Sequence, residues 1–217
     1  MWYDRCEFAG KCGGLDAAAS CEGLYAPLTE EELDDWRLRE FFPDIVGFQI
    51  PRALAVPAKY RELLQFSNGG QIINGAREFG YFALNDLRKM YFCYGFQKYV
   101  PLFLPVALNG GGVFYAYDFR DGPATRIRAV PAGDLDYGSS VDLGGSLPEV
   151  LGRTENIEDV LDEVYPPPVF TAEQIRTWEI RRELVRLKEE RAAGELYLKA
   201  YLTRKRALEE ELRTLTS

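Results

Sequence analysis

The sequence predicts an α+β fold with a helical extension at its C-terminus, and three observations predict it. From Gly70 onward, aromatic and β-branched residues alternate in short runs broken by glycine- and aspartate-rich turns, as strands require. Capped amphipathic segments precede and follow those runs, as helices require. Residues 171–217 hold no proline and carry apolar residues at helical spacing.

Taken in order, residues 1–27 are rich in Gly, Ala and Cys and lack sustained periodicity, so they are expected to wrap the domain as a coil or short turn. In "LTEEELDDWRLREFF", Thr29 and Glu32 form a capping box, with Leu28 and Leu33 as its hydrophobic staple, and Pro43 ends the helix. "GFQIP" reads as a short strand. "PAKYRELLQFSNGG" then reads as a helix opened by Pro57, with Tyr60, Leu63, Leu64 and Ser67 on one semi-apolar face. Asn68, Gly69 and Gly70 end it, since all three tolerate positive φ and permit a sharp exit.

The candidate strands are "EFGYFAL", "YVPLFLPVAL", "GVFYAYDF" and "RIRAV", separated by "NDLRKM", "NGGG" and "RDGPAT". Asn109 to Gly112 reads as the turn of a β-hairpin. Along the second arm Val113, Tyr115, Tyr117 and Phe119 share one face and Phe114, Ala116 and Asp118 the other. One face must be core; the tyrosine face is either core or an exposed binding surface. "SLPEVL" and "NIEDVLDEV" read as further helical pieces. The tri-proline of "YPPPVF" stiffens the chain and marks a domain boundary. Beyond it Thr171 and Gln174 form a second capping box, stapled by Phe170 and Ile175. Ile180, Leu184, Leu187, Leu198, Tyr201, Leu208 and Leu212 fit an a/d seam interrupted at Arg191, Gly194 and Lys205, which favours a helical hairpin, or two docked helices, over one long coiled coil. The resulting division is 1–27, 28–165, a linker at 166–170, and 171–217.

Charge and residue usage narrow the function. Formal charge is −8 and histidine is absent. Residues 171–217 hold 11 basic and 9 acidic side chains, or +2, which leaves −10 on residues 1–170. Such a field repels nucleic-acid phosphates and anionic membranes and favours a basic partner. Without imidazole, Ser-His-Asp, Cys-His and HExxH chemistry are all unavailable. No phosphate-binding glycine loop or nucleophile elbow occurs either. Carboxylate catalysis through Asp118 and Asp121 ranks last, because turn aspartates are common for conformational reasons. No catalytic residue, cofactor or metal is therefore expected. Cys6, Cys12, Cys21 and Cys93 lack a CxxC knuckle and are expected to be unligated thiols, with a four-cysteine zinc site as the alternative. No apolar run spans a membrane and no export signal opens the chain, so the expected location is the cytoplasm.

The order of these signals resembles the SUKH superfamily, whose domains are common among bacterial immunity proteins. The resemblance covers roughly residues 29–152. It rests on Pro57 and Tyr60, on Asn68-Gly69-Gly70, and on the Gly110-Gly111-Gly112 turn feeding a strand that ends in Asp118. It implies a central, mostly antiparallel sheet flanked by helices, no catalysis, and neutralisation of a cognate toxin by direct binding. The expected partner is a protein, a basic toxin domain. A structural or adaptor role through residues 171–217, or a homo-oligomer through them, is the alternative. The expected contact surface is Tyr115, Tyr117, Asp118, Arg120 and Asp121 with the loop at Asp134, Asp136 and Tyr137, because aromatic anchors beside charge make interface hot spots. The competing reading makes these tyrosines core and these charges ordinary turns. Pro57, Tyr60, Asn68, Gly69, Gly70, Gly111 and Gly112 are expected to be structural.

Overall fold

Alternation along the chain translates into one sheet. A computed structural model of the protein describes residues 1–4, 6–45, 47–123, 126–166 and 169–216, which fall into two units, Met1–Pro166 and Pro167–Ser217. In the first unit β1 (Glu7–Lys11), β2 (Gly70–Asn74), β3 (Arg77–Tyr81), β4 (Phe103–Leu108), β5 (Val113–Asp118), β6 (Arg126–Pro131) and β7 (Val141–Gly144) lie side by side in chain order. Every neighbouring pair is antiparallel, which makes the fold α+β as expected.

The β4–β5 hairpin is held by Asn109. Its Oδ1 accepts from the backbone N–H of Gly111 (3.1 Å) and Val113 (2.7 Å), and Gly112 adopts φ 87°. A Cβ on Gly111 would displace the Glu158 carboxylate, the mobile end of a long side chain, so it is Gly112, with its positive φ, that the turn backbone requires. The "RDGPAT" turn includes Ala124 and Thr125, which lie outside the described residues, as do Pro167 and Pro168 of the predicted linker.

The helices carry apolar faces onto this sheet. The capping box at Thr29 and Glu32 opens α1 (Glu30–Asp35). The expected single helix is in fact two, because Arg37 turns left-handed at φ 53° before α2 (Leu38–Phe41). Pro57 is the N-cap of α3 (Ala58–Phe66), which buries Tyr60, Leu63 and Leu64. The Tyr60 hydroxyl sits 2.6 Å from the Phe82 carbonyl and 2.8 Å from that of Val106, tying α3 to the sheet. Gly69 (φ 92°) and Gly70 (φ 146°) then swing the chain directly into β2. Asn68 does not share their positive φ. Its side chain instead accepts the Leu84 N–H at 3.0 Å and so caps α4 (Leu84–Cys93).

Several expectations are corrected. "NDLRKM" is not a connector but lies within α4, which presents Leu84, Leu87, Arg88, Tyr91 and Phe92 to the core and is followed by α5 (Phe96–Tyr99). "GFQIP" forms no strand among its described residues; Ile50 is buried from an irregular segment held by the Leu28 N–H on the Phe48 carbonyl (3.1 Å). Residues 1–27 are not merely coil, since β1 pairs with β2 and a 3-10 turn spans Glu22–Tyr25. "SLPEVL" and "NIEDVLDEV" form α6 (Leu147–Leu151) and α7 (Ile157–Val164), both against β7.

The second unit is a helical hairpin. Thr171 and Gln174 close the expected capping box at the start of α8 (Ala172–Ala192). Gly194 turns at φ 77°, and α9 (Leu198–Thr216) returns. Ile180, Leu187 and Leu208 are its buried residues, with Leu184, Tyr201 and Leu212 packed around them. Leu198, expected in that seam, is exposed. Arg176 crosses the hairpin to both oxygens of Glu211, at 2.6 and 3.0 Å.

Candidate partner-binding surface

Position in the sheet decides what the predicted contact residues can do. β5 is flanked by β4 and β6 and covered on both faces, so its whole run from Val113 to Asp118 is buried. Tyr115 donates its hydroxyl to the Glu78 carbonyl (2.8 Å) and packs edge-on against Phe79 at 4.9 Å. On the opposite face Phe114 meets Phe96 at 5.1 Å and Tyr94 at 4.7 Å. Burial pushes the Tyr115 and Tyr117 hydroxyls well above the ordinary tyrosine range. These two tyrosines are core, and the expectation that they form part of a contact surface is corrected.

The remaining predicted residues divide into a knot and a rim. The Asp118 carboxylate takes Arg120 Nη2 at 2.7 Å, its Nε, and its backbone N–H. Burial pushes the Asp118 carboxyl up, but the Arg120 hydrogen bonds outweigh this and leave it below its usual range. The guanidinium lies 4.8 Å from the Tyr137 ring centre and 5.3 Å from that of Phe103, both cation–π distances. Tyr137 packs edge-on against Phe103 (4.9 Å) and accepts the Leu102 N–H on its hydroxyl (2.9 Å). Asp118, Arg120 and Tyr137 thus converge, and they lock the start of β4, the end of β5 and the β6–β7 loop together. Asp121, Asp134 and Asp136 are exposed beyond them. Asp134 accepts the Ser139 hydroxyl and Asp136 the Gly138 N–H, which shapes the loop.

An exposed apolar face lies outside the predicted set. Phe41 is 67% exposed, Phe48 44%, Tyr99 49% and Leu102 37%. Phe41, Phe42, Ile45 and Phe48 line a groove of about 260 Å³ closed by Gln97 and Lys98 of α5. Gly95, with φ 80°, lets Tyr99 lie beside the groove: a Cβ there would stand 2.8 Å from the Phe42 ring and 3.0 Å from Tyr99. Tyr99 is followed by Leu102, whose N–H holds Tyr137. The result is an exposed aromatic strip whose polar border includes Asp44, Gln97 and Lys98. Its sequence signal was "REFFPDIVGF", where apolar residues continue past a helix end that should turn polar.

All four cysteines are free thiols, and among the described residues no three His, Cys, Asp or Glu side chains are grouped to hold a metal ion. No helix among those residues is long and apolar enough to cross a membrane. Compared with known protein families and with curated proteins, the chain matches none.

Proposed function

We propose that the chain is a non-catalytic protein-binding module, and that it acts in the cytoplasm as an immunity protein which neutralises a cognate bacterial toxin by direct binding. The observation that carries the reading is the exposed aromatic strip from Phe41 to Tyr99. Contiguous apolar surface rimmed by charge is characteristic of macromolecular interfaces and is otherwise a liability. Two features support the narrower role: the resemblance to SUKH domains over residues 29–152, and the −10 charge on residues 1–170, which steers a basic toxin domain to the surface. Occlusion, rather than chemistry, is then the mode of action.

The test is co-expression with a basic toxin domain encoded beside the gene. The wild-type chain restores growth, and the Phe41→Asp/Phe48→Asp double variant fails to do so while retaining its circular dichroism spectrum. Growth arrest that the wild type does not relieve, or relief undiminished by the double variant, contradicts the reading. The adaptor alternative is favoured by one observation, the hairpin of residues 171–216 that a stand-alone antidote does not require. A gene set among structural genes, with no toxin beside it, would select it.

A further inference from the structure

The helix α8 has two apolar sides; α9 packs on one, and on the other only Phe170 meets it among the described ring contacts, edge-on against Trp178 at 4.4 Å. At about 100° per residue, Ile175, Trp178, Arg182, Val185 and Glu189 form a stripe roughly opposite Ile180 and Leu187, which face α9. Ile175 is 46% exposed, Trp178 44% and Val185 58%. Their spacing of three and four residues is that of a coiled-coil seam.

A hollow of about 450 Å³ lies on that stripe, lined by Ile175, Trp178, Glu179, Arg181 and Arg182. Four of these stand at i, i+3, i+4 and i+7, the diamond that receives a knob from a facing helix. Its walls are apolar at Ile175 and Trp178, cationic at Arg181 and Arg182, and carry one carboxylate, Glu179, which is already paired with Arg176 at 3.1 Å; the net cationic wall fits a side chain with an apolar stem and an anionic head. Arg181 and Arg182 enter no ion pair among the described residues, and neither does Glu189, about two turns further along the helix.

We propose that two copies of the chain pair antiparallel along this stripe of α8, Glu189 of each filling the hollow of the other. A two-fold axis between residues 183 and 184 sets Trp178 against Glu189 and Arg182 against Val185, and leaves Glu179 about 3 Å along the helix from level with Arg186, each pair occurring twice. Parallel pairing would oppose Arg182 to Arg182 and Glu189 to Glu189, so the charge pattern selects the antiparallel arrangement. The proposal is independent of toxin binding: a dimer without a toxin and a toxin-binding monomer give different readings.

Sedimentation equilibrium of the full chain between about 1 and about 100 μM tests it. The expected mass is twice the 24.7 kDa chain. Glu189→Arg alone, and Arg181→Glu with Arg182→Glu, each weaken association by about tenfold or more, because every substitution acts twice across the axis. Combining all three restores it, and circular dichroism checks that the combined variant has the helix content of the wild type. A monomer throughout, whatever covers the stripe, overturns the proposal. So does a dimer indifferent to both sets of reversals, or a combined variant no tighter than the weaker of the two.

Discussion

Arg88 shows how one side chain can tie down a segment with little core of its own. It is 6% exposed, and it spends its fork on both Glu32 oxygens (2.6 and 2.8 Å) and on the carbonyls of Leu24, Ala26 and Pro27. Glu32 is also the capping-box residue of α1, so the N-terminal segment, the first helix and α4 share one ion pair. Arg88→Met strands the carboxylate and three carbonyls and should cost about 3 kcal/mol in urea unfolding. Arg88→Lys keeps the charge but loses the fork and should fall in between. The Arg88 hydrogen bond holds the Glu32 carboxyl below its usual range, against opposing desolvation. The stability this contributes is complete above the unfolded carboxyl value, about 4.3, and is lost as pH falls through the lower folded value. Between pH 5 and about pH 3 the wild type should therefore lose more of its urea midpoint than Arg88→Met does; equal losses would detach the ion pair from acid stability.

At the scale of elements, the diglycine after α3 makes a sharper prediction than its sequence suggests. Gly70 is required by its φ of 146° and also because a Cβ there would stand 2.4 Å from the Gly10 carbonyl oxygen of β1. Gly70→Ala should cost about 2 kcal/mol, or roughly 4–8 °C in melting temperature, whereas Gly10→Ala, with open space at its own Cβ, should be near neutral. The reason for the stop was legible as far as the glycines, but the neighbour it serves was not. β1 reads as coil because "EFAGK" is nearly all exposed and shows no alternation. β7 is only four residues long. The signal for α4 was present in the spacing of Leu84, Leu87, Tyr91 and Phe92, but a run of strand-like aromatics on either side hid it. Arg37 broke the first helix without a glycine or proline to announce it. Tyr115 and Tyr117 were misplaced for a topological reason: alternation tells which residues share a face, and only the neighbours of β5 tell that both faces are covered. The groove at Phe41 and Phe48 is hidden in the sequence for the converse reason, since apolar residues in a row read as core until the backbone turns them outward.

At the scale of the whole molecule, the two units divide stability and charge unequally. The first has a continuous core from Tyr3 to Leu161 and residues 1–170 carry −10; the second has Ile180, Leu187 and Leu208 at its centre and a charge of +2. A core that thin is a structural problem, because units below about 70–80 residues rarely gain more than about 3–5 kcal/mol from a single core. Its ion pairs do not make up the shortfall: those of Arg176, Arg186 and Arg204 are solvent-exposed and screened, and such pairs are worth little. Helix propensity alone does not hold two helices of this length against each other in water. If the outer stripe of α8 is where a second copy supplies the missing burial, folding and association of residues 167–217 must be one process. A peptide of those residues should then gain ellipticity at 222 nm as its concentration rises from about 1 to about 100 μM, and Glu189→Arg should flatten the rise. Residues 1–166 alone should unfold cooperatively at any concentration, because a continuous core from Tyr3 to Leu161 lies within them. Helicity of the peptide that stays constant over the same range would place its stability within a single chain, and the stripe would then be free for another protein.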